Sequence, residues 1–521
     1  MGKAGSINIF LSSEAGALPA AEVAERGRLG VRSRATVLTA AVVVSTSVGA
    51  VLRFWGLGAQ SFWFDETVTW NLVHRSLGSM LVHGIPSSES TPPLYYVLAW
   101  VWVRVVGSGE AGLRSLSALV GTATIPVAYL AARSFAGRRA GLLAALFVAV
   151  SPILVWYSQE ARSYALLGFL CALSLLFFAR LVSRYRTGDL AAWSAVAVLA
   201  LTTHYFALFL LIVEAAWLWR RLPRRPVLAA LTPPAVVCLL LAPLVYVQRG
   251  NAGGLAAASS LGARLGQTGE WFATGDLHST TVWALSGVVA AVALVLLAAD
   301  RRGRRRGLLP LAIGAATILL PVALAVAGKD YVFFRNLIPA WLPLTVAVAA
   351  GLSNPRFRAL CAVGAVLLVA AFTYADLAVW LHPSLQRDNY RLLAAKVTAS
   401  PQSAFVVYPG WDTTALEHYD PKLTPVRDGA IRIRDLTFVG VASNFGAWLP
   451  PRQVALAVPG TFHLLGTYRV QHFIVRRYAA SSPVRISIQR LARIVHARPG
   501  SREPRLDVLA PGARGPARSK N

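Results

Sequence analysis

Twelve apolar segments recur along most of this chain, covering roughly 35–55, 92–106, 111–133, 139–157, 160–183, 190–203, 205–220, 226–247, 282–299, 307–327, 334–352 and 357–380. A helix rises 1.5 Å per residue, so about 20 apolar residues cross the hydrocarbon core of a bilayer. Of the 521 residues, 55% are hydrophobic and 14% charged, with a mean hydropathy of +0.54. Soluble domains carry about 25% charge. The composition therefore excludes a soluble globular chain and predicts a mainly α, polytopic helical bundle embedded in lipid.

The formal charge of +28 invites a nucleic-acid reading, but the placement of the charge argues against it. Basic residues gather in short clusters between apolar runs: Arg133/Arg138/Arg139, Arg180/Arg184/Arg186, Arg220/Arg221/Arg224/Arg225, Arg301 to Arg306, and Arg356/Arg358. Clusters of this kind orient spans, with positive loops inside. Only five of the 51 basic residues are Lys, and the Arg and Ala excess fits the codon bias of a GC-rich bacterial genome.

Placing the clusters and the N-terminus in the cytoplasm makes parity informative. An even number of spans must separate the N-terminus from Arg138, yet three apolar segments lie between them. The segment 92–106 is the exception: it is short, opens with Pro92-Pro93 and carries Arg104. It reads as an interfacial helix on the outer face. Eleven spans remain, and the chain leaves the last one on the outside, as expected of a multi-pass protein of a bacterial inner membrane.

The expected organisation is a cytoplasmic segment at 1–34, a membrane module at 35–382 with a long first outer loop at 56–110, and an extracytoplasmic domain at 383–496. A basic, disordered tail closes the chain at 497–521. The outer domain reads as α/β: strand-like runs Ala404–Tyr408, Leu436–Val441 and His472–Val475 alternate with turns and a helix near 411–419. Arg26, Arg28, Arg32 and Arg34 precede the first apolar run, which favours an uncleaved span; cleavage after Ala50 is the weaker alternative. Cys171, Cys238 and Cys361 all sit in apolar segments without metal-ligand spacing.

Polar residues gather at the outer corners. The first loop opens SFWFDETVTW, placing Asp65 and Glu66 at an apolar–water boundary where desolvation strengthens a base. The same acids also suit the start of a helix, as caps. STPPLYY brings Tyr95 and Tyr96 to headgroup depth, and the double proline alone would merely start a helix. YSQEARSYAL holds Glu160, Arg162 and Tyr164 at a second corner. If helical there, Glu160 and Tyr164 share a face; a structural Glu160–Arg162 pair is the plainer alternative. His204 marks a third corner. KDYVFFRNLIPAWLPL supplies Lys329, Arg335 and Asn336; Arg335 can clamp a phosphate with its planar fork or snorkel to any headgroup. Glu214, alone within a span, is expected to pair locally.

Taken in order and on one side, FDE, PPLYY, QEARSY and RNLIP resemble the GT-C membrane glycosyltransferases over roughly 50–350, nearest the protein O-mannosyltransferase and lipid A aminoarabinose transferase groups. The resemblance implies transfer of a sugar, mannose or arabinofuranose, from a polyprenyl-phosphate donor to a glycan, glycolipid or protein acceptor. It implies Asp65 as catalytic base with Glu66 as the second acid, and Arg335, helped by Arg162 and Lys329, at the donor phosphate. Glu160, Tyr95, Tyr96, Tyr164, His204 and Asn336 would line the cavity. Such a transferase would be inverting and would need neither a cofactor nor a metal ion. Thr91 departs from the family, many of whose bacterial members place His before the double proline. Two rivals remain: a lipid or glycan transporter, and a cell-wall assembly scaffold. A transporter would show polar, broken helices at the midplane, whereas these span centres are nearly plain.

Overall fold

The computed structural model describes residues 20–251, 259–397, 399–408, 410, 413–441, 456–494 and 507–511. Helices follow the apolar runs. Among the described residues seven are long and apolar enough to cross a membrane: Thr36–Phe54, Glu110–Ala136, Tyr164–Ser183, Arg224–Gln248, Thr280–Ala299, Gly303–Val326 and Pro355–Leu381. Arg138–Ala149 and Pro152–Ser158 make an eighth if counted as one span bent by 54°. Thr187–Thr203, Ala207–Arg221 and Ile338–Gly351 lie among them, with 17, 15 and 14 residues. The first helix begins at Ala20, within the segment expected at 1–34; residues 1–19 lie outside the described ones.

The bend has a local cause and a distant remedy. Pro152 cannot donate to the preceding turn, and it pushes Ser151 to extended backbone, ψ 120°. The carbonyls thus released would be orphaned in an apolar bundle. Arg53, fully buried on the first helix, takes them: its Nη2 donates to Val148 O at 2.8 Å and its Nη1 to Ala149 O at 2.8 Å. Gly49, one turn earlier, lets the helices approach; a Cβ there would lie 2.3 Å from Ile125 Cδ1 and 3.2 Å from Ala149 Cα. Glu214 pairs locally as expected, accepting from Ser174 Oγ at 2.5 Å and Trp193 Nε1 at 2.8 Å.

The loop between the first two long helices folds as short helices. Phe64–Val73 carries the acidic pair, and Leu94–Val106 forms where the sequence reading expected an interfacial helix. The latter has 13 residues, about 20 Å of helix. One side buries Tyr95, Tyr96 and Ala99, while Leu98, Val101 and Val105 are exposed on the other.

After the last long helix comes a six-stranded sheet of order β2-β6-β1-β3-β5-β4. Its strands are β1 (Ser403–Tyr408), β2 (Leu423–Val426), β3 (Ala430–Val441), β4 (His463–Val470), β5 (Phe473–Ser487) and β6 (Asp507–Pro511). β1 and β3 are parallel, and the remaining pairs antiparallel. Alternation along β1 serves two cores. Phe405 and Val407 pack with Tyr390, Leu393 and Leu416, while Ala404, Val406 and Tyr408 pack with Leu436, Phe438 and Ile486. The α/β character, the three strands and the helix Thr413–Tyr419 match the sequence reading. The tail does not end the domain at 496: residues 507–511 return as a strand between β1 and β2, while the rest of 497–521 lies outside the described residues.

The sheet domain is bolted to the loop that carries the acidic pair. Ser61 Oγ donates to Asp388 O at 3.1 Å and accepts from Tyr390 N at 3.0 Å. Phe62 N donates to Tyr419 OH at 2.6 Å, and Arg391 and Tyr419 both reach Glu110. Phe62 lies two residues before the start of the helix that carries Asp65.

Candidate active site

Asp65 and Glu66 are neighbours with opposite fates. Both open the helix Phe64–Val73, where carboxylates complement the helix dipole. Glu66 is fully buried and bound on both oxygens. Arg114 Nε donates to Oε1 at 2.7 Å and Nη2 to Oε2 at 2.6 Å; Ala161 N adds a bond to Oε1 at 2.9 Å. Trp63 N also reaches Oε2, at 3.4 Å, so Glu66 performs the capping task that the sequence allowed for either acid. Arg114 uses its other N–H groups on Leu57 O, Gln60 O and Ser61 O, at 2.7–2.8 Å. Glu66 therefore clamps the loop in place, and the second-acid reading has no free oxygen to rest on.

Asp65 keeps part of its carboxylate exposed and bonds through Oδ2 to Arg335 Nη1 at 3.0 Å, across 270 residues. Arg335 sits in the 3₁₀ turn Phe334–Leu337, which is anchored from both sides. Phe334 stacks on Trp271 with centroids 4.2 Å apart and planes at 9°, a geometry that contributes about 0.5–1.5 kcal/mol beyond burial. Arg264 holds the preceding turn through Val332 O at 2.7 Å and the Asp330 carboxylate. The Arg335 guanidinium lies 5.5 Å from the Tyr164 ring centroid. One of its five donors goes to Asp65, which leaves a fork to bind a second anion.

The corner 159–163 is a break between helices, so the shared helical face expected for Glu160 and Tyr164 does not form, and Glu160 and Arg162 do not pair with each other. Arg162 instead meets Glu89 in a buried bidentate pair at 2.5 and 2.8 Å. That engagement argues against a primary donor-phosphate role for Arg162. Glu160 pairs with Arg387, Nη2 to Oε2 at 3.2 Å, and both are buried. Burial pushes the Glu160 carboxyl up to about 7, opposed by Arg387 and reinforced by Glu66 and Asp65. Burial pulls His204 down to about 3, helped by the Arg335 and Arg162 guanidiniums, so it is neutral at pH 7. Its Nδ1 accepts from Phe206 N at 3.2 Å, which puts the ring proton on Nε2.

Other expected residues border this cluster or lie away from it. The hydroxyl of Tyr95 bonds Ser117 of the next helix at 3.0 Å, while that of Tyr96 bonds Thr91 at the start of its own helix at 2.9 Å. Asn336 donates to Tyr331 O at 3.0 Å and serves its own turn. Lys329 is exposed and makes no ion pair among the described residues. Among those residues no three His, Cys, Asp or Glu side chains gather as metal ligands would. Glu89, Arg114 and Arg387 escaped the sequence reading. Glu89 stands one residue before STPPLYY, while nothing local marks the other two.

Comparison with known proteins completes the geometry. Residues 90–247 match the family described as dolichyl-phosphate-mannose-protein mannosyltransferase. No curated protein matches the sequence. Among solved structures, ArnT from Cupriavidus metallidurans bound to undecaprenyl phosphate superposes with a TM-score of 0.51 at 14% identity, covering 84% of this chain and 97% of ArnT. The chain shares the fold of ArnT over most of its length. The apo state of the same ArnT gives a TM-score of 0.52 at 14% identity, with 84% and 98% covered. The oligosaccharyltransferase of Archaeoglobus fulgidus is more distant, with a TM-score of 0.43 at 13% identity and coverage of 66% and 55%. The family match spans PPLYY and QEARSY, and the likeness of fold to ArnT extends over 84% of the chain.

Proposed function

We propose that this protein is a GT-C transferase that moves a sugar, mannose or arabinofuranose, from a polyprenyl-phosphate donor to an extracytoplasmic glycan, glycolipid or protein. The observation that carries the reading is the Asp65–Arg335 pair: a part-exposed carboxylate and a guanidinium with spare donors, 3.0 Å apart. Asp65 would take the proton of the acceptor hydroxyl as it attacks the anomeric carbon. Arg335 would meet the charge growing on the departing lipid phosphate. Attack opposite the leaving phosphate inverts the anomeric centre, and Arg335 supplies the charge stabilisation that a divalent ion gives in other transferases. That ArnT was solved with undecaprenyl phosphate supports the choice of donor class. Offering purified protein a panel of radiolabelled polyprenyl-phosphate sugars, with wall and membrane extract as acceptor, tests the reading; no transfer from any donor would sink it.

We further propose eleven spans, counting the bent pair and the three shorter helices, in a bacterial inner membrane. The N-terminus would lie inside, and Asp65 and the sheet domain outside. Cysteines placed at the exposed Ser88 and Ser481 should then react with an impermeant thiol reagent added to intact cells. Reaction only after access from the cytoplasmic side, at either position, overturns this topology.

Arg335→Lys keeps the charge and loses the planar fork. A charge-assisted hydrogen bond contributes about 1.5–3 kcal/mol, so donor use should fall by about tenfold or more, and further in Arg335→Ala. The measurement is donor KM and kcat in matched lipid. Lys serving as well as Arg would indicate simple headgroup snorkelling and move the phosphate site elsewhere.

A further inference from the structure

Beside the Asp65–Arg335 pair lies a second buried charge pair whose members come from different parts of the fold. Glu160 sits in the break between Pro152–Ser158 and Tyr164–Ser183, outside both helices. Arg387 follows the last long helix at the root of the sheet domain. Its side chain is driven inward: it lies 4.0 Å from the Trp156 ring centroid, donates to Trp156 O at 2.9 Å, and reaches Glu160 Oε2 at 3.2 Å. Its backbone is fixed on both sides. Arg387 N donates to Gln60 Oε1 at 3.2 Å, next to the loop of Asp65, and Arg387 O accepts from Gln471 Nε2 of the sheet domain at 3.1 Å. Asp388 continues the latch through His472 Nδ1, at 2.8 Å.

A buried carboxylate is costly, and this one is only half compensated. Among the described residues Glu160 Oε1 has no hydrogen-bond partner. An orphaned buried oxygen calls for a purpose, such as holding a substrate hydroxyl or a water. The groups facing it are Arg387 from the junction, Asp65 and Glu66 from the first-loop helix, and Arg335 from its 3₁₀ turn. Tyr95 from the helix Leu94–Val106, with Tyr157 and Tyr164 at its own corner, completes the surroundings. Three carboxylates therefore share one pocket of charge, and Arg387 is the cation that meets Glu160 directly.

We infer that Arg387 is a positioning residue for the transfer reaction: from the root of the sheet domain it favours the ionised form of Glu160 and leaves one carboxylate oxygen free as an acceptor within the cluster of Asp65 and Arg335. The inference rests on the transferase reading above. Its direction follows from charge. Removing the guanidinium disfavours the anion, so the Glu160 pKa rises. If transfer needs ionised Glu160, the acid limb of the kcat profile moves up with it. An opposite charge at this range shifts a carboxyl by about 1–3 units, so Arg387→Gln should move the limb by at least about one unit. It should act at least about fivefold below wild type near neutrality and recover at higher pH. Arg387→Lys should leave the limb near its wild-type place. Glu160→Gln should abolish the limb and be slow at every pH.

Two measurements decide. The first is kcat against pH for the three variants and wild type. The second needs no substrate: pH-difference infrared spectra, with the Glu160 band assigned by its loss in Glu160→Gln, give its midpoint in each protein. An upward shift of limb and midpoint in Arg387→Gln, with Arg387→Lys close to wild type, is the expected result. An unmoved midpoint, or a profile uniformly scaled down without a shifted limb, overturns the inference and leaves Arg387 a purely structural latch. Wild type inactive with every donor would instead sink the transferase reading, and the infrared midpoints separate the two failures.

Discussion

Asp65→Asn should lower transfer by about 10²–10⁴-fold, the usual contribution of a positioned base, while the protein stays folded and still binds donor. Asn is close in size and its amide oxygen can still accept from Arg335, so the geometry around Oδ2 survives. What is lost is the charge that takes up a proton. Because Asp65 is part-exposed, its replacement strands no fully buried group; Arg335 keeps its contact with the Tyr164 ring. The measurement is kcat in matched lipid beside donor binding by the same preparation. Turnover within about threefold of wild type, with donor binding intact, would remove Asp65 from the chemistry, since the smallest effect of losing a base is about a hundredfold.

Much of this molecule is written in local patterns, and what is not so written depends on contacts between distant residues. Long apolar helices, the short amphipathic one and the arginine clusters follow from hydropathy over windows of 15–25 residues, a length on which sequence speaks clearly. The FDE and RNLIP motifs stood out because ionisable groups beside apolar runs need a reason, and the fold brings Asp65 and Arg335 together. The sequence could not say which acid of the FDE pair is free. Arg114, 48 residues from Glu66, decides that by taking both Glu66 oxygens. In the same way the nearby Glu160 and Arg162 look paired in sequence, yet each finds a partner 227 or 73 residues away. Strand β6 was hidden for another reason: its five residues lie in an Arg-, Pro- and Gly-rich stretch, and only pairing with β1 and β2 gives them order.

Arg114→Ala should destabilise the folded bundle by about 3–5 kcal/mol, the cost of leaving one member of a buried ion pair alone. Arg114 is 1% exposed, and its Nε, Nη1 and Nη2 groups together make five bonds, to both oxygens of Glu66 and to the carbonyls of Leu57, Gln60 and Ser61. Truncation strands a buried carboxylate and three carbonyls at the root of the Asp65 helix. Glu66→Gln should cost less, because an amide still accepts one bond while the guanidinium keeps its three backbone partners. The double change of Arg114 and Glu66 to Met should recover part of the loss, since it removes the unpaired charge. Denaturant titration in mixed micelles measures these differences. Activity normalised to folded protein then separates the neighbouring acids. Glu66→Gln should keep near-normal turnover per folded molecule while Asp65→Asn loses it. Turnover lost in Glu66→Gln at undiminished stability would transfer the chemical role to Glu66, and wild-type stability in Arg114→Ala would show that the clamp holds nothing together.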